Sequence, residues 1–215
     1  MKSLFIKTDK TLLPALPRFL FPGKIVVIQS VREANRAISV LRKAPLIGID
    51  TETRPSFRKG VVHKVALLQA STEDICFLFR LNIIGMTKEL ADFLSNPNTH
   101  KVGLSLKDDF HQLAQLSSKF TPDGFIDLQP FAHEMGIEDM SLQKLFANLF
   151  RQRISKSQQL SNWEADVLDD KQKLYAATDA YACILIYKEL LRLRQTGDYK
   201  LINPDERDNE IRKNA

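Results

Sequence analysis

The chain has 215 residues, 44% of them hydrophobic and 27% charged, a composition that excludes wholesale disorder and allows one sizeable core. A formal net charge of +5 and a pI near 9.2 suit a polyanionic partner, because Lys and Arg attract phosphate over long distances. No apolar run reaches the roughly 18–20 residues of a bilayer span. Cys76 and Cys183 show neither CxxC spacing nor a Cys/His cluster, so a zinc site is excluded and buried free thiols in a reducing, cytoplasmic setting are expected.

In chain order, residues 1–23 read as an N-terminal arm. Pro14, Pro17 and Pro22 argue against a regular helix there, and no A-x-A-like cleavage site follows the broken apolar stretch from Leu12 to Phe21. KIVVIQ from Lys24 predicts a strand, and Ser30 is placed to cap a helix from Val31 to Lys43. LIGID (46–50), VALLQA (65–70) and ICFLF (75–79) predict three more strands, the last two joined by a hairpin turn. A short helix over 87–94, a strand over 100–104, an amphipathic helix over 107–116 and a short strand over 124–128 follow. The remainder reads as helical over 128–135, 141–150 and about 170–194. Asp169 is expected to cap the long last helix and Ser161 a short one near Trp163. Residues 198–215 read as a polar tail. Antiparallel-looking strands followed by alternating strands and helices predict a single α/β domain, residues 24–197, with a mixed sheet flanked by helices.

Three acidic motifs stand out. In Asp50-Thr51-Glu52, at the end of LIGID, the two carboxylates share one strand face. Such a pair repels unless a proton or cation lies between, and hard oxygen ligands favour Mg²⁺ or Mn²⁺. Asp108-Asp109 follows a strand end, where α/β folds bind ligands, but acids also favour a helix's first turn. Spacing alone leaves Asp108 and Asp109 equivalent. Tyr175 and Asp179, four apart on a helix, present a phenol and a carboxylate on one face, and Ala176 and Ala177 allow that helix close to a sheet. Each motif alone also fits a bland reading: a solvated strand end, a helix cap, a core tyrosine.

Together, in this order, the motifs resemble the DEDD 3′→5′ exonucleases, in the subgroup with tyrosine in the third motif. The matching residues are IDTE with Asp50 and Glu52, VGLSLKDDFHQL with Asp109, and LYAATDAYA with Tyr175 and Asp179. GIDTETRPSF with HKVALLQAS is similar to Werner-type exonuclease domains, and QLSNWEADVLDDKQKLYAATDAYA also to ribonuclease D. The resemblance spans residues 24–194. It implies a ribonuclease H-like fold and catalysis by Asp50, Glu52, Asp109, Tyr175 and Asp179. It also implies two Mg²⁺ or Mn²⁺ ions, held by the four acids. Asp50 would bridge the ions, Glu52 and Asp179 would complete the first site, and Asp109 would support the second. Tyr175 would orient the attacking water.

Around these acids, Thr51, Thr53, Arg54, Arg58, Lys59, Phe110 and His111 form the expected substrate-contact set, since cations hold phosphates and rings can stack on bases. Arg151, Arg153 and Lys156 make a second basic run, and Trp163 reads as a core or shelf residue. Asp127 reads as structural, and the histidines show no ligand spacing. The expected partner is a nucleic acid 3′ end, DNA slightly ahead of RNA, with no membrane. The helicase and RNA-binding appendages of the similar families do not fit in 215 residues, so a free-standing domain is expected. A non-catalytic binding module on the same fold, or an interaction scaffold, are the competing readings. The intact acid set speaks against both.

Overall fold

The computed structural model describes residues 1–203. Its main sheet contains β2 (Lys24–Ile28), β3 (Ile47–Thr53), β4 (Val65–Ser71), β5 (Ile75–Arg80), β6 (Lys101–Gly103) and β7 (Phe125–Asp127). The spatial order is β2-β5-β4-β3-β6-β7. β3, β4 and β5 form an antiparallel meander, while β2 joins β5, and β6 and β7 extend from β3, in parallel. The sheet is therefore mixed, as the order of elements predicts. β2 lies at the far edge, parallel to β5, and not in the antiparallel run.

The helices are α1 (Val31–Leu41), α2 (Leu81–Ile84), α3 (Lys88–Leu94), α4 (Leu106–Ala114), α5 (Leu128–Glu134), α6 (Leu142–Phe150) and α7 (Asp170–Thr196). Their starts are written in local chemistry. Ser30 and Glu33 form a reciprocal capping box on α1, and Asp169 and Gln172 form another on α7. Thr87 caps α3 through the Leu90 N–H at 3.1 Å. Gly197, with φ of 63°, closes α7 in the left-handed conformation that glycine adopts without strain.

Apolar side chains fill both faces of the sheet. Ile47, Ile49, Leu68 and Phe79 pack with α1 and α3 on one side. On the other, Ala66, Leu67 and Leu78 meet Tyr175, Ala176 and Ala180 of α7, and α5 and α6 extend that layer. Among the described residues, no helix is long and apolar enough to cross a membrane.

Two expectations need correction. The segment around Trp163 forms turns and no helix. It is held from below by Arg80, wholly buried, whose guanidinium donates to the carbonyls of Ala165 and Asp166. Buried carbonyls satisfied by a side chain need no helical ladder. The polar tail begins with a strand, β8 (Tyr199–Ile202), which pairs in parallel with β1 (Lys2–Phe5) of the arm. Leu4 and Ile202 are buried, so alternation of single apolar residues was the missed signal. Residues 204–215 lie outside the described residues. The arm also holds a short 3₁₀ helix, Lys10–Ala15, that tolerates Pro14.

α7 lies unusually close to β3. A Cβ on Gly48 would fall inside the contact radius of the Ala180 carbonyl, so only glycine allows this approach. Gly48→Ala is expected to lower stability by about 1–3 kcal/mol by forcing helix and strand apart, read as a lower denaturation midpoint.

Candidate active site

Strand alternation builds the first half of the site. Ile47 and Ile49 enter the core beneath α1, so Gly48, Asp50 and Glu52 face α7 instead. There they meet Tyr175 and Asp179, one turn apart on α7. Carboxylate oxygens of Asp50, Glu52 and Asp179 all lie within 4.8 Å of one another. Glu52 and Asp179 are 8% and 3% exposed, and Asp50 is half-buried in the cleft.

Asp109 arrives from the opposite helical layer. Ser105, which precedes α4, has a left-handed backbone with φ of 58° and gives no side-chain cap. Asp127 at the end of β7 supplies the cap. Its two oxygens accept the Ser105 and Leu106 N–H groups, each at 2.9 Å, and Oδ1 also accepts Gln129 N–H at the start of α5. One acid thus fixes two helix N-termini. So placed, α4 presents Asp109 half-buried, accepting a hydrogen bond from the Thr51 hydroxyl. Asp108 is exposed. The choice that spacing left open is made by helix orientation, with Asp109 facing β3.

The electrostatics follow from burial. Desolvation first, then the charges of Asp179 and Asp109, hold the Asp50 carboxyl well above the usual range. Glu52 is raised by burial and then by Asp50, Asp179 and Asp109. Burial lifts Asp109 to about 6, opposed by the Thr51 hydrogen bond, and lifts Asp179 to about 7, opposed by the Tyr175 hydroxyl and the Lys156 ammonium. Burial and the neighbouring carboxylates push the Tyr175 phenol up, so it stays protonated and donates to Asp179. Asp179 Oδ1 is buried and accepts no hydrogen bond. An orphaned anionic oxygen beside two further carboxylates fits a hard divalent cation.

Asp50, Glu52, Tyr175 and Asp179 line a cleft of about 260 Å³ whose polar wall also includes Gln143, Lys156 and Gln159, while Asp109 stands behind Thr51 and does not line it. Lys156 belongs to the basic run noted in the sequence. Gln143 and Gln159 were missed, because an isolated amide carries no spacing signal. Thr51 also lines the cleft, and the Thr53 hydroxyl bonds Gln112 Oε1 at 3.1 Å.

The rest of the expected substrate-contact set lies outside this cleft. Arg54 pairs with Glu164 at 3.2 Å, and His63 approaches the same carboxylate at 3.2 Å. Arg58 and Lys59 are exposed on the loop with Phe57, which is 83% exposed. His111 is exposed on α4 and does not line the cleft. Phe110 is half-buried, its ring packing on Phe125 at 4.8 Å and Phe120 at 6.3 Å. Trp163 is wholly buried against the Tyr175 ring, with centroids 5.9 Å apart.

Comparison with known proteins agrees with this geometry. A family model described as 3′-5′ exonuclease matches residues 25–194. The bifunctional 3′-5′ exonuclease/ATP-dependent helicase WRN of Mus musculus is 30% identical over 202 residues, covering 89% of this chain and 14% of that protein. The chain spans 66% or less of the length of the leading curated relatives. Among solved structures, the Aedes aegypti Nibbler EXO domain superposes with a TM-score of 0.76 at 19% identity, covering 89% of this chain and 98% of that one. Ribonuclease D of Escherichia coli superposes with a TM-score of 0.72 at 20% identity, covering 80% and 45%. The Trypanosoma brucei ribonuclease D complex with RNA U12 gives 0.68 at 20% identity, covering 80% and 63%. The fold is ribonuclease H-like, and with the family match over most of its length the chain belongs to the DEDD 3′-5′ exonucleases.

Proposed function

We propose that this chain is an active, divalent-metal-dependent exonuclease. It hydrolyses the last phosphodiester bond at the 3′ end of a nucleic acid strand and releases a nucleoside 5′-monophosphate. One observation carries the reading: three carboxylates within 4.8 Å of one another, with a buried, unpartnered oxygen on Asp179. Such a cluster is tolerable at neutral pH only with protons or cations among its members.

Asp50, Glu52 and Asp179 would hold one Mg²⁺ or Mn²⁺ ion, and Asp50 with Asp109 a second. Two such ions supply a water of lowered pKa and countercharge for the phosphate and the leaving oxygen. The protein's own groups do the positioning. Thr51 fixes the Asp109 carboxylate. Tyr175, protonated at its hydroxyl, acts as a hydrogen-bond donor that orients the attacking water and not as a base. Lys156, on the cleft wall, draws the phosphate backbone inward.

Substrate-contact roles for Thr51, Thr53, Arg54, Arg58, Lys59 and His111 belong to the same proposal, the loop residues acting on strand outside the cleft. DNA is taken slightly ahead of RNA. The likeness to a ribonuclease D solved with RNA keeps RNA 3′-end trimming as the second reading, and matched DNA and RNA oligonucleotides digested side by side separate the two. A cytoplasmic location is proposed on the two buried free thiols.

With a 5′-labelled strand and Mg²⁺ or Mn²⁺, the parent is expected to give a ladder shortening from the 3′ end that a chelator stops. Asp50→Asn should fold normally and lose activity by about a hundredfold or more. A variant within tenfold of the parent would sink the reading.

The raised carboxyls give a pH signature in the absence of divalent ions. A group raised in the folded state contributes stability fully present below its unfolded value and lost as pH climbs through the folded one. Here the window runs from about 4 to 7 for Asp179 and to about 6 for Asp109. Asp179→Asn should therefore melt above the parent near pH 8, by on the order of 1–2 kcal/mol, with the gap shrinking as pH falls below 7 and closed only near pH 4. Differential scanning calorimetry reads this, and a parent more stable at the higher pH would contradict it.

A further inference from the structure

The sequence marked a basic run, Arg151 to Lys156, and a proline-interrupted arm. The structure ties the two together. Arg153 N–H donates to the Pro17 carbonyl at 2.9 Å, Phe19 N–H donates back to the Arg153 carbonyl at 2.9 Å, and Arg153 Nε donates to the Leu16 carbonyl at 3.0 Å. Phe19 locks the arm by packing its ring on Phe146, with centroids 4.8 Å apart.

This bracing encloses a second cavity of about 260 Å³ beside the cleft. Leu13 and Pro14 of the arm, with Ile154, give it apolar surface, and Arg153, Lys156 and Gln143 give it cationic and amide groups. Gln143 and Lys156 also line the cleft of the acids, so the two spaces lie side by side with these residues between them. Lys156 is exposed and makes no ion pair among the described residues. Apolar faces next to the exposed Lys156 ammonium and the Arg153 guanidinium match a nucleotide, which offers a base with an apolar face and one phosphate negative charge.

We propose that the arm-walled cavity is a binding subsite for the strand on the 5′ side of the scissile phosphate, a single-stranded nucleotide with its base against Leu13, Pro14 and Ile154 and its phosphate toward Lys156 and Arg153. The proposal rests on the exonuclease reading. If the scissile phosphate sits at the acids, the terminal nucleoside is a chain end and stays within the cleft. The strand on its other side must leave past one wall of the cleft, and the wall at Gln143 and Lys156 is the one this cavity shares. The arm is thereby part of the substrate path.

The test changes charge at Leu13, a half-buried position remote from the acids. Leu13→Glu, Leu13→Lys and Leu13→Gln are made in the full chain, and thermal melting checks that each folds. Each is assayed on a single-stranded hexanucleotide and on the p-nitrophenyl ester of thymidine 5′-monophosphate. The ester keeps a terminal nucleotide but has no upstream nucleoside. At low salt the Glu variant is expected to show a KM for the hexanucleotide about tenfold above that of the Lys variant, with Gln between them. Its kcat, and all constants for the ester, should be unchanged, and the spread should collapse at high salt.

Equal KM values for Glu and Lys, shifts of the same sign in both, or the same shifts on the ester would overturn the subsite. Should the Leu13 variants fail to fold, Pro14→Glu and Pro14→Lys, at an exposed position, make the same comparison. Anisotropy with a labelled hexanucleotide reads binding without turnover. If binding keeps the Lys-over-Glu order while the parent hydrolyses nothing, the subsite stands and the exonuclease reading alone fails.

Discussion

Like charge held close in a dry corner is the constraint around which this molecule is built. Asp50, Glu52 and Asp179 would separate if the backbone allowed it, since burial and mutual repulsion both disfavour their ionised forms. They remain within 4.8 Å because neither supporting element can yield. β3 is bonded on both sides, to β4 and β6. α7 is about 40 Å long at 1.5 Å per residue, and it rests on β3 through glycine and alanine contacts with no intervening bulk. The hydrophobic packing of Ala176, Ala177 and Ala180 on the sheet therefore holds charge in a place charge would not choose.

The same logic explains the outer parts of the site. Asp109 must cross from the opposite helical layer, and a helix start is soft unless its N–H groups are satisfied. Asp127 satisfies them for α4 and α5 together, so the acid it orients needs no support of its own beyond Thr51. By contrast, residues 54–64 carry few buried groups and are tied down at Glu164 by surface ion pairs with Arg54 and His63, which are weak and screened by salt. A fixed centre with a looser basic rim suits a site that must hold one phosphate firmly while the strand moves past it.

Local pattern recovered the elements that write their own ends. α1 and α7 begin where Ser30 and Asp169 said they would, since capping boxes are closed within four residues. Elements that exist only by pairing were not legible. β1 and β8 are four residues each and lie at opposite ends of the chain, and neither has a local reason to be extended. Phe110 lies next to Asp109 in the chain, but neighbours along a helix point in different directions, and its ring packs on Phe125 and Phe120.

By itself the sequence determined the alternating α/β order, the facing of Asp50 with Glu52 on one strand side, and that of Tyr175 with Asp179 on one helix side. Those relations are set by backbone periods of 2.0 and 3.6 residues and need no tertiary information. The family resemblance picked Asp109 over Asp108, and the tertiary structure gave the physical reason by turning Asp109 inward; only the tertiary structure decided that Gln143 and Lys156 join the cleft and that the arm walls a second cavity beside it. Each of those depends on how separate elements are set against one another, and that is fixed by long-range packing and by buried hydrogen bonds such as those of Asp127 and Arg153.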